Sequence, residues 1–178
     1  MKRVIVASLL ACVLSADHAF AGDVSIGVFA GTTTPSETTD GDNGSTWNLV
    51  APIHLMPKLM VEPFFARTKL ADQTFTLTPG SFTLTGATFT TGGARVALML
   101  GGRVSVYPYL GLGFTNFARV GDKRSAVSYL GGIGLGVSLV PKLRLDARAE
   151  QHTVPLDTGS RGLFSLSLGV STPIATLP

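Results

Sequence analysis

The sequence predicts an eight-stranded antiparallel transmembrane up-and-down β-barrel with short turns at one end and long loops at the other. Apolar residues alternate with small or polar residues through eight segments, as in strands that bury one face. The connections alternate between two-residue turns and long loops, a pattern typical of barrels with short periplasmic turns and long extracellular loops. The predicted strands are residues 24–33, 45–55, 58–67, 87–100, 103–115, 125–139, 142–152 and 162–174.

The composition favours a membrane protein and argues against a nucleic-acid-binding one. Of 178 residues, 45% are hydrophobic and only 14% are charged, whereas about 25% is usual for soluble domains. The net charge of +3 is too small to indicate a nucleic-acid partner. No stretch after residue 21 has the roughly 18 consecutive apolar residues of a membrane helix, so strands would have to cross the membrane.

The first 21 residues read as a cleaved signal peptide. Lys2 and Arg3 precede an apolar stretch over 4–14, and Ala19-Phe20-Ala21 supplies a small-x-small cleavage site. The predicted barrel domain is therefore 22–178. The single cysteine lies inside the signal segment, which leaves the mature chain without disulfides.

The predicted connections orient the barrel in the membrane. Both termini fall at the short-turn end, so the long connections are external. The short turns are Met56-Pro57, Gly101-Gly102 and Val140-Pro141, and the long connections are 34–44, 68–86, 116–124 and 153–161.

The two faces of the predicted strands differ in a way that favours lipid outside and a narrow lumen inside. Segment 103–115 places Val104, Leu110 and Phe114 on one face and small or polar residues on the other. A soluble lipocalin-like barrel with its apolar face inward is the alternative. The second face is largely small and uncharged, which suits a lumen lining better than a solvated surface.

Some charged residues occupy alternate strand positions whose side chains point into the lumen, which we call the lumen parity. They predict a network of ion pairs that fills the barrel. An eight-stranded barrel is only wide enough for side chains, and buried charges need partners. A narrow small-solute channel is the alternative. The six residues are Glu62, Arg95, Arg144, Asp146, Arg148 and Glu150.

Aromatic and basic residues near the external end predict contacts with the membrane surface. Aromatic residues on the apolar face of the strands predict a girdle at the membrane interface. Basic residues beyond this girdle could bind lipopolysaccharide phosphates or simply be solvated. The girdle residues are Trp47, Phe65, Phe114, Tyr129 and Phe164. The basic residues are Arg67, Lys69, Arg119, Lys123 and Arg124.

The third connection predicts a protruding two-stranded ribbon over 73–85. Phe75 and Leu77 alternate with threonines before Pro79-Gly80, and Phe82 and Leu84 do so afterwards. Such a ribbon offers an unpaired edge to a surface protein partner. Alternatively, its apolar face packs on neighbouring loops, or it enters the barrel and makes ten strands.

The sequence offers weak support for an enzyme. Glu150 and His152 could serve a lipid A-modifying acyl hydrolase, because a Ser-His-carboxylate set can cleave esters. Lipid A deacylases follow their histidine with x-Ser-Asn, whereas Thr153-Val154-Pro155 follows here. We predict no enzymatic activity, no cofactor and no metal site.

The glycine-spaced segments 108–113 (Pro-Tyr-Leu-Gly-Leu-Gly) and 129–134 (Tyr-Leu-Gly-Gly-Ile-Gly) resemble strands of small Gram-negative outer-membrane barrels of the OmpA/OmpX type. We predict a monomer in the cell outer membrane, and the resemblance implies insertion by the barrel assembly machinery. It implies roles in envelope structure, adhesion or resistance to host defences. One departure is Ile174 at the end of the last strand, where members commonly carry an aromatic residue.

Overall fold

The wall of the molecule is built from long antiparallel strands. The structure is a computed structural model that describes residues 22–37, 40–78, 80–140, 142–157 and 159–177. The predicted signal peptide lies outside the described residues. The described residues contain no helix of the length and hydropathy needed to cross a membrane. The strands are β1 (Gly22–Pro35), β2 (Asp42–Val50), β3 (Ile53–Met56), β4 (Leu59–Ala71), β5 (Gln73–Leu77), β6 (Gly80–Leu84), β7 (Thr88–Leu98), β8 (Leu100–Gly101), β9 (Val104–Arg119), β10 (Asp122–Val140), β11 (Leu143–Leu156) and β12 (Gly159–Leu177).

Strand pairing proceeds around the molecule and returns to its start. β1 pairs with β2, then β4, β7, β9, β10, β11 and β12 follow in order, and β12 pairs with β1. β3 continues the line of β2 between β1 and β4. The eight-stranded antiparallel barrel is confirmed. Because each wall strand has two neighbours, the backbone polar groups of the wall are paired without help from water.

The alternation of side chains sorts the residues between the lumen and the outer surface. In β9, Tyr107 and Tyr109 are buried, whereas Leu110 and Leu112 are 74% and 57% exposed on the other face. Exposed Val, Leu, Ile and Phe side chains continue around the wall. So large an apolar surface is unfavourable in water and suits lipid. The lipocalin-like alternative is therefore wrong, because the apolar face points outward.

The strands run further at the long-loop end than the sequence predicts. The predicted loops 116–124 and 153–161 are wrong in extent, because β9–β10 and β11–β12 continue pairing almost to their tips. Gly121 (φ 78°) and Gly159 (φ 123°) reverse the chain there in conformations that other residues rarely adopt. Polar residues of these strands keep pairing beyond the apolar wall, so the hairpins project as ribbons rather than irregular loops.

The third connection contains β5 and β6, which form a two-stranded sheet of their own. The barrel therefore has eight wall strands and not ten. At the base of this hairpin, the Gly86 N–H donates to Asp72 Oδ1 at 2.9 Å and the Leu70 N–H donates to the Ala87 carbonyl at 2.9 Å. These bonds fix the hairpin to the barrel mouth.

Candidate functional site

The middle of the lumen is closed by charged side chains that contact one another directly. Glu62 on β4 accepts a hydrogen bond from Arg95 Nη1 at 2.8 Å and two from Arg148 at 2.6 Å each. Arg95 Nη2 also lies 2.8 Å from a carboxylate oxygen of Glu150. Glu62 is 1% exposed, Arg95 2% and Arg148 7%. Two carboxylates thus face two guanidiniums, and this balance offsets the cost of burying the charges.

Aromatic rings pack against these guanidiniums. The guanidinium carbon of Arg95 lies 4.1 Å from the centre of the Phe64 ring, and that of Arg148 lies 3.9 Å from the centre of the Phe29 ring. Cation–π attraction is strongest at such dry sites. We call this layer the lumen plug; it consists of Phe29, Glu62, Phe64, Arg95, Tyr107, Arg148 and Glu150.

Two rings of the lumen plug fit because glycines lie beside them. Gly169 is the cross-strand partner of Phe29, and Gly134 is that of Tyr107. A Cβ atom at either glycine would overlap the ring of its partner. The glycine-rich lumen face is therefore what lets an eight-stranded barrel hold large rings.

A second ion pair joins the lumen plug on the side of the short turns. Arg144 Nε donates to the two oxygens of Asp146 at 3.0 and 3.2 Å, and its Nη2 donates to Ser105 Oγ at 2.6 Å. The Tyr107 hydroxyl donates to Asp146 at 2.7 Å and accepts from Arg148 Nε at 3.0 Å. All six predicted lumen charges thus lie in one network, with Tyr107 as the link.

Above the lumen plug, buried hydroxyl groups form a polar layer. Thr115 Oγ1 lies 2.8 Å from both Thr91 Oγ1 and Ser128 Oγ, and Thr68 donates to Thr46 at 2.9 Å. These hydroxyl groups form hydrogen bonds with one another across neighbouring strands, and buried polar groups need such partners.

An apolar layer closes the lumen at the long-loop end. Phe89 and Phe117 pack with ring centres 5.2 Å apart, which explains why Phe89 departs from the outward parity of other strand aromatics. A cavity between this layer and the lumen plug measures about 10 Å³, enough for about one water molecule. Buried side chains therefore fill the described part of the lumen at two levels, the lumen plug and this apolar layer. The layer consists of Leu70, Ala87, Phe89, Phe117, Val154 and Leu163.

The two weak catalytic candidates do not assemble a hydrolytic site. Glu150 is paired with Arg95, and the nearest described partner of His152 is Thr115, with Nε2 3.4 Å from Oγ1. Among the described hydrogen bonds, none joins His152 to Glu150. His152 is 8% exposed and lies in the lumen beneath the apolar layer, away from any lipid substrate.

At the mouth of the long-loop end, Asp40 is buried beside a guanidinium. Its Oδ1 lies 3.3 Å from Arg161 Nε, and Arg161 also contacts Glu37. The Asp40 carbonyl accepts from the Ala87 N–H at 2.9 Å, which ties the first connection to the base of the β5–β6 hairpin. Burial raises the pKa of Asp40 above its usual value, and nearby Arg161 only partly opposes this effect.

The five predicted girdle residues all lie on the outer surface. Trp47 and Phe65 pack with ring centres 5.5 Å apart. Phe65 and Phe114 lie at the same level, because each is the cross-strand partner of Gly92. The residues are 42–55% exposed, and they are Trp47, Phe65, Phe114, Tyr129 and Phe164.

The five predicted basic residues divide between the two faces. Arg67, Lys69 and Lys123 are exposed on the outward parity. Lys69 and Lys123 share one cross-strand row, and Arg67 begins the next row toward the membrane. Arg119 and Arg124 are half-buried on the lumen parity, and Arg124 Nε lies 2.9 Å from Asp122.

The predicted ribbon is present as the β5–β6 hairpin. Phe75 and Phe82 are cross-strand partners, and their rings stack at 5.0 Å with 16° between planes. Phe82 is 50% exposed. Leu84 is half-buried opposite Gln73, and Leu77 lies opposite Gly80 in the register. β5 and β6 pair only with each other, so both outer edges of the ribbon are unpaired within the described residues.

Sequence reasoning missed the aromatic part of the lumen plug and the ion pair at the mouth. Phe29 lies on the opposite face of the wall from the girdle residues, and its inward position follows once Gly169 is known to lie opposite it. Asp40 and Arg161 are far apart in sequence, and no local pattern links them.

The closed sheet, apolar outer wall and filled lumen define a small outer-membrane barrel. The family model described as "Outer membrane protein beta-barrel domain" matches residues 4–171, and the chain belongs to this family. Its place is therefore the outer membrane. No curated protein matches the chain.

Solved structures of small barrels are similar to this one. Neisserial surface protein A (NspA) superposes with a TM-score of 0.70 at 15% identity, over 85% of this chain and 97% of that chain. The attachment invasion locus protein Ail of Yersinia pestis has a TM-score of 0.51 at 25% identity, over 85% and 99%. The N-terminal barrel of Pseudomonas aeruginosa OprF has a TM-score of 0.56 at 13% identity, over 86% and 99%.

Proposed function

We propose that this barrel is a non-enzymatic surface-interaction protein whose partner binds the β5–β6 ribbon. The observation that carries the proposal is the contrast between a filled lumen and an exposed ribbon. Buried ion pairs and an apolar layer occupy the interior, whereas an aromatic pair and unpaired backbone edges project from the mouth.

The filled lumen argues against the two alternative functions. A small-solute channel needs a continuous path, and the cavity above the lumen plug measures only about 10 Å³. A lipid A hydrolase needs a nucleophile and base within reach of lipid, and His152 is enclosed beside Thr115.

The ribbon is suited to binding an extended segment of another protein. An unpaired strand edge can accept a further strand through backbone hydrogen bonds, and side chains then set specificity. The exposed Phe82 ring supplies an apolar anchor beside that edge. Two structural neighbours bear the names of a surface protein and an attachment protein, which agrees with a role at the cell surface.

Adherence of cells displaying ribbon variants tests the proposal. We expect replacement of residues 73–84 by a short Gly-Ser turn, and Phe82→Ser alone, to reduce adherence to host-cell monolayers and survival in serum. Val120→Ser is the matched control, because Val120 is 80% exposed at the neighbouring hairpin tip. A heat-dependent mobility shift in electrophoresis would verify that each variant folds. Unchanged adherence and survival after removal of the ribbon would contradict the proposal.

We also propose that Arg67, Lys69 and Lys123 bind lipopolysaccharide phosphates at the outer wall. They are exposed just beyond Phe65, and lysines and arginines form charge-assisted bonds with phosphate oxygens. Replacing all three by Gln should lower the temperature at which the barrel unfolds in lipopolysaccharide-containing bilayers, but not in zwitterionic detergent. An equal change in both media would indicate a purely structural role.

A further inference from the structure

A second, separate feature lies at the short-turn end of the lumen. We propose that the cavity there binds a soft monovalent cation of the Cu(I) class through His54, Met60 and Met99. The cavity measures about 230 Å³, and all three side chains line it.

The strand register places the three donors beside one another. His54 on β3 and Met60 on β4 are cross-strand partners, and opposed residues have Cβ atoms about 4.5–5.5 Å apart. Met60 lies opposite Ala97 on β7. Met99 is two residues further on, with its N–H bonded to the Lys58 carbonyl at 2.8 Å, so it is the diagonal neighbour of Met60. Diagonal neighbours are within reach of long side chains.

One ring nitrogen of His54, Nδ1, lacks a hydrogen-bond partner among the described residues. His54 Nδ1 is buried and neither accepts nor donates a hydrogen bond among the described residues. Buried polar atoms are nearly always satisfied by protein or water, so this ring nitrogen is free to take a water molecule or an ion as its partner. The neighbouring thioethers of Met60 and Met99 are only weak acceptors and do not meet this need.

The donor set selects the class of metal. Thioether sulfurs are soft ligands that favour Cu(I), and imidazole also binds copper. Zinc prefers thiolate, imidazole and carboxylate ligands, and the described residues contain no group of three His, Cys, Asp or Glu side chains suited to a metal. Two thioethers and one imidazole therefore favour a monovalent soft ion over Zn²⁺, Mg²⁺ or Ca²⁺.

The surroundings of the three donors are compatible with a cation. Asp23 and Asp146 line the same cavity as Arg144 and Arg148, so carboxylates offset the guanidiniums. Arg144 is also paired with Asp146, with Nε 3.0 Å from Oδ1. The cavity lies at the end that holds the short turns and the strand termini Gly22 and Leu177.

Silver(I), a redox-stable analogue of Cu(I), provides the test. The refolded barrel would be labelled with ¹³C on its methionine methyl groups and titrated with silver nitrate in a chloride-free, non-ionic detergent. We expect the methyl signals of Met60 and Met99 to shift together and saturate. Met56 is the internal control, because it is 55% exposed and does not line the cavity. Absence of shifts, or equal shifts at all three methionines, would overturn the proposal.

Conservative variants separate coordination from packing. Met60→Leu and Met99→Leu keep the apolar volume but remove sulfur, and His54→Gln removes the imidazole. Each should weaken silver binding by at least about tenfold, equivalent to about 1.4 kcal/mol, while Met56→Leu leaves it unchanged. The heat-dependent mobility shift verifies folding, and the wild-type titration decides the matter if a variant does not fold. Unchanged affinity in His54→Gln and both cavity Met variants would refute the site.

Discussion

Replacing Glu62 by glutamine should destabilise the barrel strongly, although the side chain keeps its shape. Glu62 accepts three hydrogen bonds from Arg95 and Arg148. The amide of glutamine carries a donor group where a carboxylate oxygen accepted, so it faces guanidinium donors with another donor. The variant also leaves the two guanidiniums with Glu150 as the one remaining carboxylate of the lumen plug.

The magnitude follows from the burial of these charges. At an effective dielectric constant of about 20, one pair of charges about 4 Å apart attracts with about 4 kcal/mol. The substitution removes two such attractions, while desolvation relief and relaxation recover part of the loss. Breaking a buried ion pair by removing one partner costs about 3–5 kcal/mol. We therefore expect the free energy of unfolding to fall by that amount.

Unfolding by urea in lipid vesicles would measure this loss. Trp47 is the single tryptophan of the chain and lies on the outer wall, so its fluorescence reports removal from lipid. The double variant Glu62→Gln/Arg148→Met is the informative companion. It removes the surplus charge and leaves the Arg95–Glu150 pair, so it should be more stable than Glu62→Gln alone.

Two results would refute this reasoning. A loss below about 1 kcal/mol for Glu62→Gln would mean that the buried pair contributes no more than an exposed one. Simple addition of the single-variant losses in the double variant would mean that Glu62 and Arg148 are not coupled.

Three further predictions concern the lumen, the mouth and the wall. In planar bilayers the wild-type barrel should give no reproducible conductance steps, because the lumen plug and apolar layer close it; regular steps would contradict this. The raised pKa of Asp40 means that the folded mouth binds this proton more tightly than the unfolded chain does. Its stabilising contribution is present at low pH and is lost as pH rises through the folded-state pKa. The protection factor of the Ala87 amide, whose N–H donates to the Asp40 carbonyl, should therefore fall over that range, and Asp40→Asn should abolish this fall. Gly134→Ala should cost about 1–3 kcal/mol in urea unfolding, because the new methyl group overlaps the Tyr107 ring. Gly92→Ala is its control, since a Cβ there meets no atom within 4 Å, and equal losses would contradict the packing argument.

The sequence determined the strand number, the orientation of the faces and the charges of the lumen. Side chains alternate strictly along a strand, so residues such as Leu110 and Phe114 had to share a face opposite Tyr109. A barrel of only eight strands encloses a narrow lumen. Charged side chains that point inward therefore had to meet one another. The lumen positions of Glu62 and Arg95 follow from this alternation alone.

Tertiary structure alone decided which of these residues touch and where pairing stops. Glu62 and Arg148 are 86 positions apart, and only the closure of the sheet and its stagger bring them together. Phe29 became an inner ring because Gly169, from the last strand, leaves space beside it. The hairpins ran past their predicted ends because backbone pairing does not depend on the apolar pattern by which strands are recognised. His54, Met60 and Met99 are conspicuous only once β3, β4 and the segment after β7 align them, since register between distant segments is a property of the closed barrel and not of any local segment.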